Sequence, residues 1–130
     1  MLILTIRTDK PEAEIGLFDD AQEIKYEKWE AHRKLAETIH QKIKDILDSA
    51  GKDWADIEGV VVFKGPGSFT GLRIGLAVGN ALASSLNTPI IGTTGHDWVQ
   101  KGIRILLTKP SRAVVIPEYG GAVHTTLPKK

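Results

Sequence analysis

The order of apolar and polar residues predicts a chain that begins with three strands. Residues 2–7 and 13–18 are short apolar runs, and a turn-forming Asp-Lys-Pro sequence separates them. After a second turn made by two aspartates, residues 22–29 alternate apolar with charged side chains, which is typical of a half-exposed strand at a sheet edge. Three short strands joined by tight turns predict an antiparallel meander.

Helices and buried strands are predicted to alternate after this meander. Apolar side chains recur every three or four positions over residues 31–50, and the unbroken apolar run at residues 59–63 is typical of a strand covered on both faces. The later segments predict a helix, a strand, a helix and a last apolar run at residues 70–86, 89–92, 96–102 and 113–116. This order favours an α/β fold with a mixed five-stranded sheet, antiparallel in its first three strands, and helices packed on it. It resembles a ribonuclease-H-like half-domain.

Composition narrows the class of protein. The 130 residues are 42% hydrophobic and 25% charged, which fits one ordinary globular domain. The absence of cysteine excludes disulfides, thiolate zinc sites and cysteine nucleophiles. The apolar N-terminus meets Arg7 too early for a secretory signal, and the longest apolar stretch, residues 74–83, is too short to cross a bilayer. We therefore expect a cytoplasmic protein without a membrane partner.

Charge is unevenly distributed along the chain. Residues 1–60 hold nine Lys and Arg against fourteen Asp and Glu, whereas residues 61–130 hold eight against two. The two halves therefore carry −5 and +6, which sum to the net charge of +1. A nucleic acid, an acidic protein partner, or a basic surface with no dedicated partner would each account for the positive half.

A glycine-rich line joins the predicted buried strand to the second helix. It reads Gly65-Pro-Gly-Ser-Phe-Thr-Gly-Leu-Arg-Ile-Gly75. Its spacing matches neither the dinucleotide fingerprint nor the P-loop, and its serine does not lie in a hydrolase nucleophile elbow. Two interpretations remain open: a structural turn, or an anion site at a helix N-terminus. The residues of such a phosphate or nucleotide site would be Gly65, Gly67, Ser68, Thr70 and Arg73.

The helix that follows carries small residues four positions apart, at Gly71, Gly75, Gly79 and Ala83. The two interior glycines cost roughly 2 kcal/mol of helix stability relative to alanine, so a compensating contact is expected. Close approach of another backbone would supply it. That neighbour is either the protein's own sheet or helix, or a partner chain.

Part of the sequence resembles a known protein family. Residues 59–64 together with the glycine-rich line closely resemble the signature of the TsaB (YeaZ) family. The Pro-Ile-Ile-Gly-Thr-Thr sequence at residues 89–94 resembles the strand that follows the family's glycine-containing helix, and Ile116-Pro-Glu-Tyr119 resembles, less closely, its C-terminal end. The resemblance covers residues 1 to about 100.

The resemblance implies a fold, a process and partners. TsaB-like proteins have the ASKHA (actin-like ATPase) fold and serve the synthesis of N6-threonylcarbamoyladenosine beside the tRNA anticodon. They are usually not catalytic: they bind and support a TsaD-like threonylcarbamoyltransferase, which uses a group made by TsaC, and a TsaE-like ATPase joins the pair. The resemblance thus implies a heterodimer with the TsaD-like paralogue, a homodimer when alone, and only indirect contact with tRNA. ATP or ADP and Mg²⁺ would belong to the assembled complex, with no cofactor bound by this chain alone.

In this family the two helices of the N-terminal half form the partner-binding face. Carried over to this chain, that face predicts interface contacts from the apolar and small residues of both helices. These residues are Leu35, Ile39, Ile43, Ile46, Leu72, Gly75, Leu76, Gly79 and Ala83.

Two departures from the family pattern stand out. Residues 1–105 predict the N-terminal half-domain, and residues 106–130 leave room only for a C-terminal strand and a basic tail, so we expect this sequence to lack the second half. The first strand ends in Arg7 where the fold usually places an aspartate that helps hold metal and phosphate, and His32 and His40 are too far apart to bind one ion. We therefore expect neither catalytic residues nor a metal site. The alternative function is a stand-alone nucleotide-binding protein that uses residues 65–70.

Overall fold

The computed structural model describes residues 1–67 and 69–118, and its strands form a single sheet in the order β3-β2-β1-β4-β5. Short 3₁₀ turns occupy His32–Lys34 and Trp54–Asp56. The strands and helices are β1 Leu2–Arg7, β2 Glu12–Asp19, β3 Gln22–Glu30, α1 Leu35–Ser49, β4 Gly59–Phe63, α2 Phe69–Leu86, β5 Ile90–Thr93 and α3 Trp98–Thr108. This architecture confirms the predicted α/β class.

The strand pairing is mixed. Strand β1 lies in the middle of the sheet, antiparallel to β2 and parallel to β4, with Ile3 opposite Phe18 on one side and Gly59 on the other. Among the described residues, strand β3 pairs with β2 alone and forms one edge, while β5 extends the parallel half beyond β4. The antiparallel meander and its edge strand are therefore as predicted.

Helices cover the sheet on both faces. Helices α1 and α2 pack on one face, where alternate residues of β1, β2 and β4 meet the apolar stripe of α1. Helix α3 packs on the other face, mainly against β4 and β5, through Val99, Ile103 and Leu106. The parallel strands β4 and β5 are thus buried from both sides, which explains why the valines of β4 form an unbroken apolar run.

Two predicted helix boundaries are wrong. Helix α1 begins at Leu35, after a 3₁₀ turn, and not at residue 31. Helix α3 runs on to Thr108, beyond the predicted end at residue 102. The reason is Gly102, which is not a helix stop but the point of closest contact with Val61 of β4.

The expected C-terminal strand is also not found. Within the described residues after α3, no strand is formed, and the predicted run at residues 113–116 is an irregular segment beside β5. Ahead of this run, Ile90 N of β5 donates to the Ser111 carbonyl at 2.8 Å, and no other backbone hydrogen bond joins β5 to the described residues after α3. Of the C-terminal strand and basic tail predicted over residues 106–130, residues 119–130 lie outside the described residues.

Candidate functional site

The end of β1 is held by an ion pair that lies under the glycine-rich loop. The Arg7 guanidinium donates from Nε to Asp9 Oδ1 at 2.7 Å and from Nη2 to Oδ2 at 3.2 Å. Its centre also lies 3.9 Å from the ring centroid of Phe63. The hydrogen bond and charge of Asp9 raise the pKa of Arg7 above its ordinary value. Both side chains are largely buried, so this carboxylate is already neutralised by a two-pronged pair.

The glycine-rich loop is closely packed from two directions. A Cβ placed on Gly67 would lie 2.5 Å from the Asp9 Cβ, so only glycine lets the loop lie this close to β1. Gly65 has a φ of +130°, and a Cβ on it would collide with the carbonyl oxygen of Glu118. The loop is therefore enclosed by the end of β1 and by the segment after α3.

The four described members of the predicted anion site do not share one cavity. Gly65 and Gly67 make the contacts above, whereas Thr70 and Arg73 are exposed on α2. Thr70 lines a cavity of about 310 Å³ together with Lys10 and other residues around the start of α1. Arg73 lines a neighbouring depression, to which Thr70 also contributes, so the structure brings these two residues together but not the glycines. Ser68 lies outside the described residues.

The predicted interface residues belong to the core of the monomer. The four from α1 are Leu35, Ile39, Ile43 and Ile46, and none is more than 5% exposed. Of those from α2, Leu72, Leu76 and Ala83 are at most 4% exposed. These side chains lie between the helices and the sheet. The apolar stripes of the helices pack against the protein's own strands, so they cannot contact a partner in this conformation.

The glycines of α2 also pack inside the monomer. A Cβ on Gly75 would collide with Thr8 Oγ1, and one on Gly79 would lie 2.6 Å from Val62 Cγ1. Thr8 also donates a hydrogen bond to the Gly71 carbonyl at 2.7 Å, which holds the end of β1 against the first turns of α2. Of the two neighbours left open by the sequence, the protein's own sheet is therefore the one that approaches these glycines.

The helices leave a second face exposed, which we call the outer helix face. On α2 its exposed residues are mostly small, and Arg73 is the charged one among them. On α1 its exposed residues are mostly polar or charged, and they include the ion pair from Lys44 to Asp48 at 2.9 Å. The exposed residues of this face are Ala36, Glu37, His40, Gln41, Lys44, Asp45 and Asp48 on α1, and Thr70, Arg73, Ala77, Ala81 and Ser84 on α2.

Two depressions mark this face beside the half-buried Ile74. One is the 310 Å³ cavity between the starts of α1 and α2, and the other measures about 360 Å³ and is lined by Thr70, Arg73, Ile74 and Ala77. Small side chains beside shallow depressions allow a second helix to approach closely. Sequence reasoning missed Ala77 and Ala81, although their position opposite the glycine stripe, on the same helix, could have revealed them.

Among the described residues, no group of three or more histidine, aspartate or glutamate side chains is placed to hold a metal ion. Within the same part of the chain, no helix has the length and apolar character needed to cross a bilayer.

Comparison with known proteins relates this fold to one process. A family model described as "TsaD: tRNA N6-adenosine threonylcarbamoyltransferase" matches residues 29–116. The tRNA threonylcarbamoyladenosine biosynthesis protein TsaB of Escherichia coli K12 is 32% identical over 99 residues, covering 72% of this chain and 40% of that protein. A tRNA N6-adenosine threonylcarbamoyltransferase of Syntrophus aciditrophicus is 42% identical over 62 residues, covering 48% of this chain and 18% of that protein.

Solved structures of other proteins share the fold of this chain. YeaZ from Pseudomonas aeruginosa superposes with a TM-score of 0.67 at 25% identity, covering 72% of this chain and 43% of that one. Thermus thermophilus RuvC, solved with a Holliday junction, superposes with a TM-score of 0.54 at 11% identity, which shows a shared fold and nothing more. The chain thus spans less than half the length of the TsaB and YeaZ proteins that it matches.

Proposed function

Since the chain belongs to the TsaB/YeaZ family and matches the TsaD model over residues 29–116, we propose that it is a non-catalytic partner subunit in tRNA modification. It binds and supports a TsaD-like threonylcarbamoyltransferase in the synthesis of N6-threonylcarbamoyladenosine next to the anticodon. A TsaE-like ATPase joins the larger complex, and tRNA is contacted only indirectly. Alone, the chain forms a homodimer.

The outer helix face is the observation that carries this proposal. Its α2 part combines exposed Ala77, Ala81 and Ser84 with two depressions beside Ile74, a surface on which a partner helix can pack at short distance. The apolar stripes of both helices are used inside the monomer, so the partner contacts that the family resemblance implies move to this exposed face.

A supporting rather than catalytic role agrees with the end of β1. The carboxylate of Asp9 is held by both arms of Arg7, so it is not available as a ligand for Mg²⁺ bound to nucleotide. In this proposal ATP or ADP and Mg²⁺ act in the assembled complex, and the chain alone binds neither.

A second candidate function, stand-alone nucleotide binding, has one observation in its favour. The 310 Å³ cavity beside the first turn of α2 is lined by Lys10, Arg33 and Thr70, which offer two positive charges and a hydroxyl to a phosphate. Calorimetry with Mg-ATP separates the two functions: saturable heat from the lone chain supports nucleotide binding, and no heat supports the partner role.

Mixing the chain with the TsaD-like protein of the same organism tests the proposal. Chromatography with light scattering is expected to show a dimer for the chain alone and a one-to-one heterodimer after mixing. Ala81→Arg adds bulk and charge to the outer helix face with only a small loss of helix propensity, and it should weaken the heterodimer about tenfold or more. Gln100→Arg, on the exposed side of α3, is the matched control and should change nothing. A chain that forms no complex with the TsaD-like protein contradicts the proposal.

A further inference from the structure

The irregular segment after α3 is fixed along the flank of α2, and we call residues 111–118 the flanking segment. The Asn80 side chain on α2 donates from Nδ2 to the Val115 carbonyl at 3.0 Å and accepts from Val115 N at 2.9 Å. The Val115 side chain packs against Gly92 of β5, where any Cβ would collide with it. One side-chain amide thus holds the middle of the segment beside α2.

Both ends of the flanking segment are also bonded to the sheet or to the residue that follows it. At the start, the Ser111 carbonyl accepts from Ile90 N at 2.8 Å. At the end, Glu118 N donates to the Lys64 carbonyl at 2.6 Å, and the two side chains form an ion pair at 3.5 Å. The segment is therefore held in place in the lone chain, so a molecule that binds to it loses little affinity to ordering it.

A cavity of about 230 Å³ lies between the flanking segment and α2. Its buried lining includes the apolar side chains of Ala83 and Ile90, which are 4% and 3% exposed. Its exposed lining includes Ser84 of α2 together with Arg112 and Val114. Sites for drug-sized ligands and cofactors usually measure roughly 300–1,000 Å³, so this cavity suits one large side chain better than a small molecule. Pockets of this kind hold the apolar anchor residues of protein interfaces.

Apolar surface continues from the cavity along the flanking segment. Val114 and Ile116 are 71% and 73% exposed, more than any other large apolar side chain among the described residues. Val115 lies between them and is bonded to α2, so the backbone that carries both side chains is fixed. Exposed apolar side chains next to an apolar cavity are typical of a protein-binding surface.

Arg112 provides a positive charge beside this apolar surface. Its guanidinium forms no hydrogen bond or ion pair with any residue that the structure describes, and it lines the cavity together with Val114. Glu58 shares a larger neighbouring cavity with Arg112, but its carboxylate accepts from Leu2 N at 2.8 Å instead. A carboxylate of a bound protein would therefore meet a cation that this part of the chain does not neutralise.

We propose that the protein bound to the outer helix face also inserts one apolar side chain into this cavity and places a carboxylate against Arg112. This contact rests on the proposed function, in which a TsaD-like protein packs on that face, and it extends the interface across α2 to the flanking segment. Continuity favours this occupant, because Ser84 belongs both to the outer helix face and to the lining of the cavity. A partner element with an apolar residue close to an aspartate or glutamate has the required chemistry, and it would cover Val114 and Ile116 as well.

Titration of the fluorescently labelled TsaD-like protein with the full chain tests the apolar part of this contact. Val114→Asp should weaken binding about tenfold or more, because it places a charge beside the anchor side chain. Leu107→Asp is the matched control, since Leu107 is an exposed apolar residue of α3 on the other face of the sheet, and it should bind like the wild type. Both variants should unfold at the wild-type temperature. A large loss of thermal stability for Val114→Asp alone would show that the chain itself covers this residue and would overturn the inference.

A second pair of variants tests the charged part. Arg112→Glu should weaken binding about tenfold at low salt and less at high salt, because added ions screen the lost attraction. Arg104→Glu, on the exposed side of α3, makes the same change of charge and should have little effect.

The outcomes separate this contact from the proposed function. A heterodimer that Ala81→Arg weakens, but that is as tight with Val114→Asp and Arg112→Glu as with the wild type, overturns the inference and leaves the proposed function intact. Equal weakening by each variant and its control on α3 also overturns it, since the effect is then not specific to the cavity. Loss of the homodimer with an unchanged heterodimer assigns the surface to a second copy of the chain and overturns it as well. Absence of any heterodimer contradicts both.

Discussion

Arg7 at the end of β1 binds both carboxylate oxygens of Asp9, at 2.7 and 3.2 Å, and thereby closes the place where the fold would otherwise present a free carboxylate. The pair is covered by Phe63 on one side, and Asp9 contacts Gly67 on another. Its position joins the first strand to the glycine-rich loop before α2. The pair therefore fixes the geometry of this end of the sheet.

Replacing Arg7 by Met should destabilise the protein by about 3 kcal/mol at neutral pH, because it leaves the buried Asp9 carboxylate without its partner. Urea unfolding followed by circular dichroism measures the loss. The double variant Arg7→Met with Asp9→Asn should recover much of it, since no unpaired charge remains. Equal stability of the wild type and Arg7→Met would show that the pair contributes nothing.

Gly75→Ala should reduce stability by about 1–2 kcal/mol, although alanine favours helices over glycine by nearly 1 kcal/mol. The reason is the collision of the new methyl group with Thr8 Oγ1, which is itself held by its hydrogen bond to Gly71. Differential scanning calorimetry measures the change, with Ser84→Ala on the outer helix face as the control. A higher melting temperature for Gly75→Ala would contradict the close approach of α2 to β1.

Tyr26 predicts a pH-dependent contribution to stability. Its hydroxyl donates to the buried Glu14 at 2.6 Å, and burial together with this hydrogen bond raises the pKa of Tyr26. Since the folded pKa is the higher one, the stabilisation is complete below the ordinary tyrosine pKa of about 10 and is lost as the pH rises above it. Tyr26→Phe should therefore cost about 1–2 kcal/mol near pH 8 and less near pH 11. A difference in unfolding free energy that does not change with pH contradicts this assignment.

Much of the fold follows from sequence because its signals are local. The apolar stripe of α1, the valine run of β4 and the turn residues between the first strands each specify one element. The length of α3 could not be predicted in this way. In the sequence Gly102 indicates a helix end, and only the structure shows that it is a glycine because Val61 packs against it.

The candidate site is less predictable, for a physical reason. A helical stripe of Leu and Ile reveals that a face is covered, but it does not reveal whether the protein's own sheet or another chain covers it. The same ambiguity holds for Gly75 and Gly79, which the structure places against Thr8 and Val62. Asn80 is a further case: it is a polar residue inside an apolar helix, yet its hydrogen-bond partner Val115 lies 35 residues away.

In the proposed function the chain supports tRNA modification through the outer helix face. The most direct measurement is the amount of N6-threonylcarbamoyladenosine formed on tRNA by the TsaC-, TsaD- and TsaE-like proteins of the same organism, with and without this chain. We predict that modification requires the chain, falls about tenfold or more with Ala81→Arg, and is unchanged with Gln100→Arg. Full modification in the absence of the chain, or equal activity of Ala81→Arg and wild type, would contradict the claim.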